Sequence, residues 1–232
     1  MIKKTLFLLS ITLLGCLDAY SQKDDIVLYN QNWEKKKLYW GYYFGANYNS
    51  YKVSYLNTND TFVELQPTAS FHLGMIGGLR FNDYWSLRFE PGFMNTNIGV
   101  EFQEITSSTN TKREVQANYI RLPLLVKFNS KRYRNIRPYL IGGISYDHNL
   151  SGDENNEEDN EEGVFRMSES NFTYEMGVGM DIYLPYFIFS PSIRGVFAIN
   201  NEIVYDNDPN SEFTRNIDYF GGRGVFIRFA FH

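Results

Sequence analysis

The sequence predicts an all-β protein: an eight-stranded antiparallel transmembrane β-barrel with short periplasmic turns and long extracellular loops. Three observations lead there. Eight segments alternate apolar and polar residues with a period of two, the mark of strands with two unlike faces. The connections between them alternate short and long, as in outer-membrane barrels. Aromatic residues make up 17% of the chain, with 18 Tyr and 19 Phe, which suits interfacial girdles better than a soluble core.

The chain opens with an export signal over residues 1–21. Lys3 and Lys4 form a positive start, and "TLFLLSITLLG" is a short apolar run. Ala19 and Ser21 are small residues at the two positions a signal peptidase reads, so cleavage is predicted after Ser21. A competing reading is a lipoprotein signal, because "LLGC" places Cys16 after Gly15; lipidation there would anchor the chain. Cleavage after Ser21 leaves a mature chain with no cysteine, hence no disulfide, thiol chemistry or Cys-based metal site. Residues 22–37 are expected in the periplasm, as a free tail or as a contact for a periplasmic partner. The barrel is expected over residues 38–232.

The strands follow in order. The first covers about Leu38 to Tyr51, the second Ala69 to Phe81, the third Trp85 to Phe102 and the fourth Val115 to Phe128. The fifth covers about Arg137 to His148. The sixth and seventh form one hairpin, "TYEMGVGMDIYLPYFIFSPSIRGVFA", Thr173 to Ala198. In it Tyr174, Met176, Val178 and Met180 share one parity, and Glu175, Gly177 and Asp181 the other. Pro185 suits the turn, because proline donates nothing to a ladder. The last strand runs from about Gly222 to His232. "NDY", "NSKRYRNI" and "LPY" are the short connections; those holding "LNTNDTFVELQP", "QEITSSTNTKRE", "NLSGDENNEEDNEEGVFRM" and "NEIVYDNDPNSEFTRNIDYFG" are long and polar. An even strand count puts both termini on the short-turn side.

Lipid solvates no backbone group, so a spanning sheet must close. The aromatic face then meets outer-membrane lipid, and the other face looks inward. By parity the inward charges are Arg80, Arg88, Glu90, Arg121, Lys127, Glu175, Asp181, Arg194 and Arg228. They are expected to form a structural network, since an unpaired buried charge is costly. An eight-stranded interior is just wide enough for side chains to fill it, which argues against a general pore. The excess of basic over acidic groups leaves an anion site or substrate path as the alternative.

Other classes find little support. Hydrophobic content is 43%, and beyond the leader no apolar run is long enough for a spanning helix. A net charge of −5, without a basic helix or known module, gives no nucleic-acid partner. Of the histidines, His72 falls on an inward parity, His148 at a strand end and His232 at the C-terminus. None stands in a spacing that specifies a catalytic triad, so the protein is expected not to be an enzyme and to need no cofactor. The stretch Asp153 to Glu162 holds seven carboxylates. It reads as a solvated loop, with calcium binding as the alternative.

The segments "YIRLPLLVKF", "RPYLIGGISYDHNL", "FTYEMGVGMDIYLPYFIFSPSIRGVFAINN" and "FIRFAF" resemble the PorT family of Bacteroidetes outer-membrane barrels, the SprT gliding-motility proteins of gliding species. The hairpin "GMDIYLPYFIFSPSIR" with its following "NN" is the most telling part. The resemblance spans Trp40 to the end, excluding the long loops. It implies a non-enzymatic accessory component of the type IX secretion system, serving protein export and, in gliding species, motility. Partners would then be other secretion-system proteins, a larger translocon barrel or periplasmic components. It supplies no catalytic or ligand residues. The alternative is a surface barrel of adhesion or membrane-stabilising type, acting through its extracellular loops.

Overall fold

A computed structural model describes residues 27–56, 63–67, 69–102, 112–151, 167–204 and 217–232, with backbone alone for 63–67, 98–102 and 112–116. Cys16, the cleavage position Ser21 and the acidic stretch Asp153 to Glu162 lie outside the described residues.

The expected alternation gives ten strand segments: β1 (Leu38–Tyr55), β2 (Val63–Pro67), β3 (Ala69–Arg80), β4 (Trp85–Phe89), β5 (Gly92–Phe102), β6 (Lys112–Asn129), β7 (Ile136–Asn149), β8 (Ser170–Tyr183), β9 (Ile188–Ala198) and β10 (Ile217–Phe231). All ladders are antiparallel. β1 pairs with β10 on one side and with β3 on the other, so the pairing returns to its starting point. Closure of this kind pairs both sides of β1, as a sheet spanning lipid requires; among the described residues β2 is laddered to β5 alone.

Ten segments stand where eight strands were expected: the expected third strand is divided into β4 and β5, and β2 lies in "LNTNDTFVELQP", which the sequence reads as a long loop. β4 and β5 are separated by Glu90 and Pro91, and proline has no N–H for the ladder. Their register against β6 nonetheless runs in step, from Phe89↔Leu124 to Gly92↔Arg121. The Glu90 amide still donates to Pro123 (3.1 Å), and the Pro91 carbonyl accepts from Met75 (2.9 Å). β2 pairs with β5 one residue out of step with β3, so these two form separate segments.

Several strands are longer than the sequence suggested. β1 and β6 each span 18 residues, about 60 Å at ~3.3 Å per residue. A tilted strand needs only about 9–11 residues to cross a bilayer. The surplus lies at the long-loop end. There Tyr51, Met167, Ile203, Ile217 and Phe220 form a small buried cluster, and Met167 bridges Ile203.

Parity sorts the side chains as the alternation requires. Trp40, Met75, Leu140 and Val178 are exposed on the outer face, whereas Arg88 and Glu90 are both 0% exposed on the inner one. Two glycines make this interior possible. A Cβ on Gly78 would enter the Tyr39 ring, and one on Gly92 would meet the Tyr43 hydroxyl. The two tyrosines thereby fill the lumen, packed with Ile76 and Ala230.

Candidate functional site: the charged lumen and its two ends

The centre of the interior is organised around Glu90. Arg88 Nε lies 2.8 Å from Glu90 Oε1, Arg194 Nη1 2.8 Å from Oε2, and Arg228 Nη1 2.6 Å from Oε2. Arg194 Nη1 also reaches Glu175 Oε2 at 3.3 Å. Glu175 Oε1 in turn accepts from Arg121 Nη2 at 3.1 Å, and Arg121 Nε donates to Asp147 Oδ1 at 3.0 Å. The chain of charges is thus Arg88 and Arg228, Glu90, Arg194, Glu175, Arg121, Asp147. It draws on β4, β6, β7, β8, β9 and β10 together with the β4–β5 junction. Nearer the short-turn end, Lys127 Nζ holds both oxygens of Asp181 at 2.8 and 2.7 Å, and Ser190 Oγ donates to the same carboxylate at 2.6 Å. Aromatic faces take up part of the positive charge: Arg228 lies over Tyr43 at 3.5 Å and Lys127 over Tyr139 at 3.9 Å. Each charge is desolvated, so its partners must replace the lost hydration.

Eight of the nine inward charges named from the sequence meet in this interior. Arg80 is the exception. It keeps the inward parity but stands at the short-turn mouth, where Nη1 donates to the carbonyls of Trp33 and Glu34 (2.7 Å each) and Lys36 (2.9 Å). The sequence reading also missed the buried acids Asp147 and Glu202 and the buried Arg137. Asp147 and Arg137 fall on the inward parity of the fifth strand, a position that the period of two makes legible. Glu202 follows β9 in a connection with no period to read. The basic excess that kept an anion path open shrinks accordingly. His72 is a structural group: Nδ1 lies 3.2 Å from Asn47 Oδ1 and the ring packs 4.9 Å from Phe226.

The N-terminal segment is a strap, where a free tail was one of the expected alternatives. Residues 27–37 cross the short-turn mouth and include a 3-10 helix, Gln31–Lys35. Asn30 Nδ2 donates to Leu184 O (2.7 Å), Asn135 Nδ2 to Val27 O (2.9 Å) and Arg132 Nη2 to Tyr29 O (2.6 Å). Tyr183 Oη donates to Glu34 Oε1 at 2.9 Å, and Arg137 Nη1 lies 3.4 Å from the same oxygen. Trp33 packs on Tyr39 and His232. Burial, with Arg88 and Lys127 adding to it, pushes the His232 imidazole down to about 3, so it is neutral.

The long-loop end holds a cavity of about 50 Å³ lined by Asn49, Tyr51, Tyr119, Asp147, Glu202 and Phe226 among others, room for a few waters. Glu202 pins the loop bases. Its Oε1 accepts from the Gly222 amide (3.0 Å), its amide donates to Phe220 O (2.8 Å), and its carbonyl accepts from Ser168 N (2.9 Å). Burial pushes its carboxyl up to about 7, and Asp147 adds to the shift. Among the described residues no group of three or more His, Cys, Asp or Glu side chains is arranged to hold a metal ion.

A closed antiparallel sheet with a greasy aromatic exterior and an ionised interior is the construction of an outer-membrane β-barrel. The chain belongs to the family described as outer membrane protein beta-barrel domain, whose model matches residues 20–204. No curated protein matches it. Among solved structures it is similar to the outer membrane protein OprG from Pseudomonas aeruginosa, with 12% identity and a TM-score of 0.48 over 83% of this chain and 94% of that one. It is also similar to Neisserial surface protein A, with 10% identity and a TM-score of 0.47 over 84% and 98%.

Proposed function

We propose that this outer-membrane protein is an eight-stave transmembrane barrel, β2 continuing into β3 and β4 into β5, with short turns in the periplasm. We further propose that it acts as a non-enzymatic accessory component of the type IX secretion system. One observation carries the mechanical half of this reading: the lumen is crossed by an unbroken chain of buried ion pairs around Glu90 and Arg194. A barrel filled in this way has no path for a polypeptide, so it works through its surfaces, as a partner of a larger channel. The resemblance of the "GMDIYLPYFIFSPSIR" hairpin to the PorT family carries the assignment to that machinery. The test is a clean deletion of the gene in its own host, followed by fractionation of cargo bearing the C-terminal export signal. Cargo retained in the periplasm, with restoration by the intact gene, is the expected result. Normal export, with loss of surface adhesion only, would instead establish a surface barrel working through its loops.

A further inference from the structure

We infer that the long-loop end of the lumen is a binding site for a small ammonium-bearing ligand, with Glu202 as its counter-ion. This goes beyond the proposed secretion role and does not rest on it. Glu202 is 4% exposed and lines the cavity, yet among the described residues no Lys or Arg forms an ion pair with it. The partner seen is the neutral Gly222 amide. Every carboxylate of the central network, by contrast, has a cation within 3.1 Å. A buried carboxyl without a cation, at the wall of a cavity, is the arrangement that an incoming cation completes.

The remaining walls suit the same chemistry. Tyr51, Tyr119 and Phe226 offer aromatic faces, which attract ammonium groups. Asn49 Nδ2 is a buried donor with no partner among the described residues, on a residue 8% exposed that lines the same cavity. It would meet an acceptor oxygen close to the ammonium. Arg121, which also borders the cavity, is already engaged by Asp147, Glu175 and Thr173 and so competes little for Glu202. Asp147 is held by Arg121 and Thr173. Arg223 lines the rim with its side chain exposed. The cavity volume sets the scale of the ligand at a few heavy atoms.

The experiment uses the full mature chain in detergent micelles at constant ionic strength, with ethanolammonium as probe and ethylene glycol as its neutral isostere. The readout is the Gly222 amide resonance, because that amide touches Glu202. Ethanolammonium is expected to move it saturably in the millimolar range, and ethylene glycol to leave it in place. Glu202→Gln should weaken binding at least tenfold while the barrel still folds. The Glu202 carboxyl titrates near 7, and Asp147, Arg121, Arg223, Tyr51 and Tyr119 are the other ionisable groups facing it. Affinity should therefore fall about 100-fold from pH 8 to pH 5, following the ionised fraction. Equal shifts from the two probes, binding retained in Glu202→Gln, or a pH-independent affinity would each overturn the site. If Glu202→Gln fails to fold, the isostere comparison and the pH series on the natural chain decide alone.

Discussion

Arg194 Nη1 lies 2.8 Å from Glu90 Oε2 although 104 positions separate the two residues. It touches Glu175 Oε2 as well, so one guanidinium joins β9 to β8 and to the β4–β5 junction across the lumen. Glu90 answers three arginines at once. Removing an acid from such a set leaves buried cations facing one another. Glu90→Gln is expected to destabilise the folded barrel by about 3–5 kcal/mol, the usual cost of breaking a buried pair from one side. Reversible urea unfolding from lipid vesicles measures it. A loss under 1 kcal/mol would mean that water already screens the network.

Much of this interior is written in the sequence, because a strand has a strict period of two. Once Glu175 and Asp181 are set opposite Met176 and Val178, they can only point inward, and the structure puts them there. Which acid meets which base is set by registers between distant strands, such as Gly177↔Arg194 and Arg137↔Asp181. No local pattern records those registers. The same limit hid the strap: Asn30, Trp33 and Glu34 carry no strand period, and their partners Leu184, Tyr39 and Tyr183 lie far along the chain or in another element. Glu202 was invisible for a related reason, since a loop carboxylate looks solvated until a cluster closes over it.

The strap can be tested at Arg80. Its guanidinium binds three carbonyls of the strap, and hydrogen bonds from charged donors contribute about 1.5–3 kcal/mol each at most. Arg80→Ala should therefore expose the strap to protease while leaving the barrel resistant. Release of the strap should not open a conductance, because the Glu90 and Asp181 clusters still fill the lumen. Planar-bilayer recordings check this. Steady ion flow through Arg80→Ala would show that the strap, rather than the ion pairs, is the seal.

Gly78 has no room for a methyl group, because a Cβ there would overlap the Tyr39 ring. Tyr39 cannot step aside easily, being packed against Trp33 and His232. Gly78→Ala should cost about 1–3 kcal/mol, in the range of overpacked cores, and should loosen the short-turn mouth. Tyr39→Leu in the same chain should recover part of the loss. An additive double mutant would place the strain elsewhere.

The outer face makes its own prediction. Val178 is exposed on β8, paired with Leu140 and Ile193, all apolar. Val178→Arg should cost about 2–4 kcal/mol if the residue sits near the bilayer midplane, falling towards 1 or less near an interface. Unfolding from vesicles gives the value. A loss below half a kcal/mol would remove this position from the hydrocarbon.

The two ends of the barrel should respond to pH with opposite slopes. Glu202 at the long-loop end has its carboxyl raised to about 7 by burial and Asp147, above its ordinary value near 4.3. The folded state then holds the proton more tightly than the unfolded one. Its stabilising contribution is complete below about pH 4 and is lost as pH rises through 7. His232 at the short-turn end is lowered to about 3 from an ordinary 6.5. There the unfolded state binds the proton more tightly, so its contribution is complete above about pH 6.5 and is lost as pH falls towards 3. Between pH 4.5 and 6.5 the loop bases should loosen with rising pH while the strap tightens. Amide hydrogen exchange at Phe220 and Gly222 reports the first, and at Trp33 and Ile188 the second. Glu202→Gln should flatten the first profile and leave the second unchanged; parallel slopes at both ends would mean that a single global transition, and neither local group, sets the response.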